Sequence, residues 1–354
     1  MAAGGTGGHV IPALAVAREL RRRGHEVEFI GSRTGLETRL VPKEGFPLEL
    51  IEIGGLNRVG MAQMARTLWQ LPAAIFQTAR RFRARRPAAV YSMGGYVAGP
   101  TVIAALAGGI PVVVMEPNAV PGFTNRRMGR LATRALVSFP ESSIYFPHGK
   151  TELTGLPVRE EFFSIPPKPR VGVFSLLVTG GSQGSRTLNR AARESWRLFR
   201  EAGFPIRFVL QAGRAAAPEL AAEFTDSGLA GEVKDFIEDM PSAFAAADLL
   251  ICRAGAGAVA EVAAAGRASI LVPFPHAADQ HQLRNAEAFQ RAGAARLVVD
   301  SEWTGEKLFE MVRELAAGVD TLERMGEAAR RRARPGAAVR AAEILEEISR
   351  GDLR

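Results

Sequence analysis

The 354-residue chain has one cysteine, Cys252. A single thiol excludes an intramolecular disulfide and any zinc site built on several cysteines. Histidine is scarce as well, at five residues, and His276 and His281 stand five apart, a poor spacing for one helix face. There is no aspartate before Asp226 and no Asp-x-Asp anywhere, so no essential metal is expected. Long apolar runs are missing too. The longest uncharged stretch, Pro87 to Met115, is broken by Gly94, Gly95, Gly99, Pro100, Gly108, Gly109 and Pro111. A membrane span needs ~20 continuous apolar residues, so this stretch reads instead as a buried βαβ unit. The opening MAAGGTGG lacks the charged and apolar regions of a signal peptide, which makes the cytoplasm the expected compartment.

What is present is a chain that can bury real cores, 47% hydrophobic and 23% charged, long enough for about two domains. The net charge of +8 is uneven: residues 1–160 hold 20 Lys+Arg against 11 Asp+Glu, and the remainder 25 against 26. The surplus therefore lies wholly in the first half. It suits nucleic acid, phosphate or an anionic membrane surface, and the total alone does not choose among them.

Apolar runs predict strands at Val27–Ile30, Leu48–Ile53, Ala88–Met93, Pro111–Met115, Ala135–Ser138, Leu176–Thr179, Ile206–Gln211, Leu249–Cys252, Ser269–Val272 and Ala295–Val299. Helical patterns lie between them, as in Pro12–Arg23, Gln63–Arg85 and Thr101–Ala107. This alternation predicts an α/β protein of two Rossmann-like, doubly wound parallel-sheet domains facing a cleft. The segment Pro157 to Arg170, with prolines at 157, 166, 167 and 169, reads as the linker between domains 1–160 and 161–336. Only Met1–Ala3 precede the first glycine loop, where such a domain places a central strand. The expectation is that about five residues of that strand are missing and that the true start lies upstream.

Four segments carry chemistry. Gly4-Gly5-Thr6-Gly7-Gly8-His9 opens a helix, and glycines there allow close backbone approach while the helix N-terminus favours an anion. It is not a dinucleotide fingerprint, since Val10 stands where the third glycine belongs and Ile30-Gly31-Ser32-Arg33 lacks the acidic ribose partner. The second, Gly180-Gly181-Ser182-Gln183-Gly184-Ser185, repeats the architecture. The third runs from Arg253 to Glu261; Glu261 either complements its helix dipole or accepts hydrogen bonds from two ribose hydroxyls. The fourth, Pro273 to Ala286, sets Gln282 and Asn285 on one helix face, where amides suit a hydroxyl-rich sugar or plain solvent.

In this order, together with Ser92-Met93-Gly94-Gly95-Tyr96, Glu116-Pro117-Asn118-Ala119-Val120-Pro121-Gly122 and Asn189, these segments resemble the MurG family over essentially the whole chain. The resemblance implies the glycosyltransferase-B fold. It also implies transfer of N-acetylglucosamine from UDP-N-acetylglucosamine to the C4 hydroxyl of the muramyl sugar of lipid I, giving lipid II. No cofactor is then required, because UDP-N-acetylglucosamine is a substrate. By position, Thr6, Gly7, Gly8 and Asn118 would contact the donor sugar or diphosphate. Arg159, Ser182, Gly184, Ile237 and the run Ala256, Gly257, Ala258, Val259, Ala260 and Glu261 would hold the uridine diphosphate. Gln282 and Asn285 would face the sugar, and Gly94, Gly95, Tyr96 and Glu116 the acceptor. His9 is the family's candidate base, either taking the proton of the attacking hydroxyl or orienting the acceptor. The chain departs from the family at Met115, where histidine is frequent, at Ala258 and Ala260, where hydroxyl residues are frequent, and at Gln280, where aspartate is common.

The segment from Arg66 to Arg86 combines Leu68, Trp69, Leu71, Ile75, Phe76 and Phe82 with Arg80, Arg81, Arg83, Arg85 and Arg86. On its own it reads as an amphipathic helix with its apolar side in the core. A lipid-linked acceptor requires contact with the bilayer, which makes Trp69, Ile75, Phe76, Arg80, Arg81 and Arg83 candidates for an anionic membrane surface. The expected location is peripheral, on the cytoplasmic face of the inner membrane. The final helix, 337–354, is expected to pack back on the first domain. An epimerase of the same fold, an NAD(P)-dependent oxidoreductase and a nucleic-acid binder are the competing classes. The Asn118 segment and basic patch, the loop spacing, and the lack of a recognition motif weigh against them in turn, so no nucleic-acid partner is expected.

Overall fold

The computed structural model describes residues 1–54, 61–169 and 172–352, without the side chains of 61–66, 68 and 319. Arg170 and the side chains of Arg66 and Leu68 thus lie outside the described residues. The chain divides into two compact units, Met1–Val158 with Gly336–Arg354, and Arg159–Pro335. The boundary falls two residues ahead of the one the proline-rich segment suggests, which moves Arg159 into the second unit.

In the first unit the strands are β1 (Phe29–Ser32), β2 (Leu48–Ile51), β3 (Val90–Ser92), β4 (Val112–Glu116), β5 (Arg134–Val137) and β6 (Thr151–Leu153). All of their pairings are parallel. Ala2 bridges Ile30 of β1 and Ser92 of β3, with Ala2 N–H donating to Tyr91 O at 2.7 Å and Met93 N–H to Ala2 O at 3.0 Å. Met1–Ala3 therefore fill the central position between β1 and β3, as a bridge rather than a full strand. Branched side chains build this core, among them Val90, Val112, Val114 and Val137, because a sheet covered on both faces needs apolar residues on both. Helix Ala337–Arg350 belongs to this unit. It buries Ala341, Ile344, Leu345 and Ile348 and ties Glu346 to Arg23 at 3.0 Å and Arg340 to Glu152 at 2.6 Å.

The second unit holds β7 (Phe174–Thr179), β8 (Ile206–Gln211), β9 (Ala230–Lys234), β10 (Leu249–Cys252), β11 (Ser269–Leu271) and β12 (Arg296–Leu297), in the order β12-β11-β10-β7-β8-β9. Its core is aromatic, with Trp196 edge-on to Phe224 at 5.1 Å between centroids, beside Phe199 and Phe208. Burial of each such side chain contributes roughly 1.5–3 kcal/mol. Two strands, β6 and β9, were not expected. Both are polar or exposed edge strands, which need no continuous apolar run.

In each unit the chain builds outward from its first strand, then returns to that strand's other side. β10 lies against β7, with Cys252 opposite Thr179. In the first unit β3 lies on the other side of Met1–Ala3 from β1. The carboxyl ends of those strands form the crevice where doubly wound sheets bind ligands. The loops there are Gly4–Thr6 and Met93–Tyr96 in one unit and Gly180–Ser185 and Arg253–Gly255 in the other.

Candidate active site

In the first unit the chain leaves Ala3 through Gly4, Gly5 and Thr6 into the helix Gly7–Arg22. This helix starts five residues before the expected Pro12, which puts the N–H groups of Gly7 and Gly8, lacking carbonyls four residues back, at the crevice. Thr6 caps the helix in an extended conformation without a side-chain cap bond. His9 Nδ1 lies 3.3 Å from Gly4 O. A carbonyl only accepts, so this contact calls for a proton on Nδ1. Gly95, at φ +78°, packs on this contact: a Cβ there would stand 3.3 Å from Gly4 O and 3.5 Å from His9 Nδ1. Gly94, at φ +84°, leaves room for Asn125, whose Oδ1 would meet a Cβ at 2.9 Å. Tyr96 is half exposed beside them. The structure thus gathers His9, Gly94, Gly95 and Tyr96.

Glu116 does not present itself to an acceptor. It is 1% exposed, and its oxygens accept from Asn118 N–H at 2.9 Å, Asn118 Nδ2 at 3.2 Å and Asn125 Nδ2 at 2.9 Å. Its work is to pin the loop carrying Asn118. Burial pushes its pKa up to about 7, opposed by the hydrogen bonds from Asn125, Asn118 and Gly122. Met115 is also buried, in β4, so the position where the family often has histidine offers no side chain to a substrate here. Asn125 and the buried Glu37 were missed in the sequence. Neither sits in a glycine loop, and only the fold brings them to one.

In the second unit Gly184 has φ +72°, and a Cβ on it would fall 1.9 Å from Ala212 O. That backbone contact, not a ligand, already demands glycine. Ser185 caps helix Arg186–Glu201 and also accepts from Arg253 Nη2 at 2.6 Å. Arg253 further donates to Asp300 and, at 3.1 Å, to Val272 O, so one partly buried guanidinium joins three loops at the sheet's carboxyl end. Ser182 is exposed at the tip of the glycine loop. The helix Ala256–Ala265 opens after Gly255 with no side-chain cap, turning the N–H groups of Ala256, Gly257 and Ala258 outward, while Ala260 lies half-buried on its next turn.

Several expected contacts change character. Val259 is 1% exposed and can offer only backbone. Ile237 is buried, and its N–H already donates to Gln211 Oε1 at 2.9 Å, which leaves its carbonyl as the group it can present. Asn285 is fully buried and donates to Ala254 O at 3.1 Å, so it supports the Arg253–Glu261 segment rather than facing a sugar. Gln282 Oε1 accepts from Phe274 N–H at 3.0 Å, holding the Pro273–Gln280 loop. Within that loop Asp279 and Gln280 adopt φ of +49° and +54°, conformations that cost non-glycine residues about 1–3 kcal/mol each.

Glu261 stands on the second turn of its helix, too far along to serve the dipole. Burial pushes its carboxyl up to about 7, countered by Arg159, whose Nη2 lies 4.0 Å away. Arg159 stacks over Phe162 at 4.9 Å and borders an open hollow of about 670 Å³ with Glu238, Asp239 and Ser242.

On the helix Met61–Arg85 the structure leaves Trp69 87% and Phe76 64% exposed, unlike the core-facing side that the segment suggests when read alone. Arg80 and Arg83 continue the same exposed face at helical spacing, and Ile75 is half-buried. Arg81 departs from the group: it pairs with Glu28 at 3.1 Å. Among the described residues no helix is long and apolar enough to cross a membrane, and no three His, Cys, Asp or Glu side chains gather as a metal site would need.

Two Rossmann-like units, each with a glycine loop at its switch point, define the glycosyltransferase-B class. Residues 1–137 match the glycosyltransferase family 28 N-terminal domain, and residues 175–344 its C-terminal domain. The chain is 63% identical over 350 residues to the UDP-N-acetylglucosamine--N-acetylmuramyl-(pentapeptide) pyrophosphoryl-undecaprenol N-acetylglucosamine transferase of Solibacter usitatus, covering 99% of this chain and 96% of that one. It is 41% identical to the protein of that name from Myxococcus xanthus, covering 98% and 92%. The crystal structure of Acinetobacter baumannii MurG superposes with a TM-score of 0.83 at 34% identity, covering 98% of both chains. The chain belongs to glycosyltransferase family 28, and it is an enzyme.

Proposed function

We infer that the enzyme transfers N-acetylglucosamine from UDP-N-acetylglucosamine to the C4 hydroxyl of the muramyl sugar of undecaprenyl-diphospho-muramyl-pentapeptide, lipid I. The product is lipid II, for peptidoglycan synthesis. The observation that carries this reading is the 63% identity, end to end, with a transferase named for that reaction. The acceptor oxygen attacks C1 of the sugar, the bond from C1 to the diphosphate oxygen breaks, and UDP leaves from the opposite face. An α-linked donor therefore gives a β-linked product. His9 takes the hydroxyl proton on Nε2, in keeping with the proton that Gly4 O holds on Nδ1.

In this reading the second unit holds the nucleotide. Glu261 accepts from the ribose hydroxyls, Arg159, Ser182 and the carbonyl of Ile237 face the uridine diphosphate, and Gln282 the sugar. In the second unit the N–H groups of the helix start at Ala256 face the diphosphate; in the first, the helix start at Gly7, with Thr6, Gly8 and Asn118, offers the same kind of anion contact. They supply the positive ends that a leaving phosphate needs without a metal. Gly94, Gly95 and Tyr96 form the acceptor's side. Trp69, Phe76, Arg80 and Arg83 bind an anionic bilayer, holding the enzyme peripherally on the cytoplasmic face of the inner membrane. That arrangement accounts for the basic surplus of the first half of the chain.

The test is direct: purified enzyme, UDP-N-acetylglucosamine and a soluble lipid I analogue, assayed with and without a chelator. Wild type is expected to transfer the sugar in both conditions. His9→Ala is expected to lose about 100-fold or more in rate. No transfer to the analogue by the intact enzyme would overturn the reading.

A further inference from the structure

We propose that Glu37 is a positioning residue for His9, acting through a single peptide plane. The inference rests on the reading of His9 as the base. Glu37 is fully buried. Its Oε2 accepts from Gly5 N–H at 2.9 Å, and its Oε1 from Ser32 N–H and Ser32 Oγ, both at 2.8 Å. Gly5 N–H belongs to the same peptide unit as Gly4 C=O, the group that accepts from His9 Nδ1 at 3.3 Å. In a trans peptide the two point in opposite directions. A carboxylate on one side therefore fixes the plane that meets the imidazole on the other. Donating to Glu37 Oε2 also polarises the amide and makes its carbonyl a better acceptor, which favours the Nδ1–H tautomer and leaves Nε2 as the base.

The surroundings are cut to fit this carboxylate. A Cβ at Gly35 would lie 1.9 Å from Glu37 Oε2, one at Gly4 2.7 Å from Oε1, and one at Gly31 2.6 Å from Cγ. Leu36 N–H donates to Gly5 O at 3.1 Å, so the neighbouring peptide is tied to the same segment. Three donors converge on Glu37, and a carboxylate is the side chain that accepts from all of them without presenting a hydrogen. A glutamine has the same shape, but its NH₂ must face either Gly5 N–H or Ser32 N–H, and one of those bonds is lost.

The experiment compares wild type, Glu37→Gln, Ser32→Ala and His9→Ala. It uses transfer kinetics on the soluble acceptor analogue and ¹⁵N spectra of histidine-labelled enzyme, with the His9 signal assigned by its loss in His9→Ala. Wild-type His9 is expected as the Nδ1–H tautomer. In Glu37→Gln that preference is expected to weaken and kcat to fall about 10-fold or more, with KM for UDP-N-acetylglucosamine within about twofold. Ser32→Ala removes a buried hydrogen bond from the same carboxylate but spares the Gly5 contact, so its tautomer and kcat are expected to match wild type. An Nε2–H tautomer in wild type overturns the proposal even if Glu37→Gln fails to fold. So does a folded Glu37→Gln with wild-type kcat and tautomer. Full activity in His9→Ala overturns instead the reading of His9 as base, so the two failures are distinguishable.

Discussion

Replacing Glu261 by glutamine separates its two readings. As a dipole partner the residue would matter to stability alone, and its place on the second turn of Ala256–Ala265 already weakens that role. As a ribose acceptor it makes two charge-assisted hydrogen bonds, and exchanging one carboxylate oxygen for an amide nitrogen forfeits about 1.5–3 kcal/mol. That is about 10- to 150-fold in Kd for UDP-N-acetylglucosamine. Arg159, at 4.0 Å, is too distant to occupy the carboxylate fully. Burial holds the carboxyl near 7, so the ionised fraction falls about tenfold between pH 8 and pH 6. Affinity for UDP-N-acetylglucosamine is therefore expected to weaken by about tenfold over that interval in wild type and to be flat in Glu261→Gln. The sugar nucleotide has no phosphate titrating in this range, which keeps the pH signal with the protein. Calorimetry at pH 6, 7 and 8 reads both effects, and a 2′-deoxyribose analogue should reproduce the glutamine loss in wild type. Equal affinity of the two proteins at pH 8, or a pH slope that survives in Glu261→Gln, refutes the assignment.

Glu116 offers a stability test. A buried carboxyl raised from 4.5 to about 7 stabilises the fold while protonated, and that contribution is lost as pH rises through 7. At about 1.4 kcal/mol per unit, Glu116→Gln should gain about 3 kcal/mol on wild type between pH 4.5 and pH 8, read by urea unfolding at each pH; a pH-independent difference would show that ionisation is not felt there. Trp69→Ala with Phe76→Ala, and separately Arg80→Glu with Arg83→Glu, should each weaken binding to anionic liposomes while sparing transfer to a soluble acceptor. The arginine pair should lose about 2 kcal/mol or more at low salt. Unchanged liposome sedimentation removes this face from the membrane reading. Gly184→Ala drives a methyl into Ala212 O at a positive φ and should lower Tm while weakening UDP-N-acetylglucosamine binding; a wild-type melt would mean the loop has room that the structure denies it.

Much of this was legible in the chain because it is written locally. Apolar runs spaced by helical patterns set two parallel sheets, and Ile206–Gln211 and Leu249–Cys252 appear with the expected bounds. Glycine loops marked both switch points, since steric demand for a bare backbone leaves its mark in composition. The shortage of cysteine and the basic first half likewise needed no coordinates. What only the tertiary structure decided is which polar groups face outward. Glu116 and Asn285 read as ligand contacts, yet both are sealed among loop amides. Arg81 read as a lipid-facing cation and is held by Glu28, whereas Trp69 and Phe76, easily taken for core, are exposed. Glu37 gave no signal at all. Its role depends on Gly5 meeting the short turn that runs from Ser32 to Glu37, and a hydrogen bond between residues 32 positions apart is a product of folding, with no local pattern to announce it.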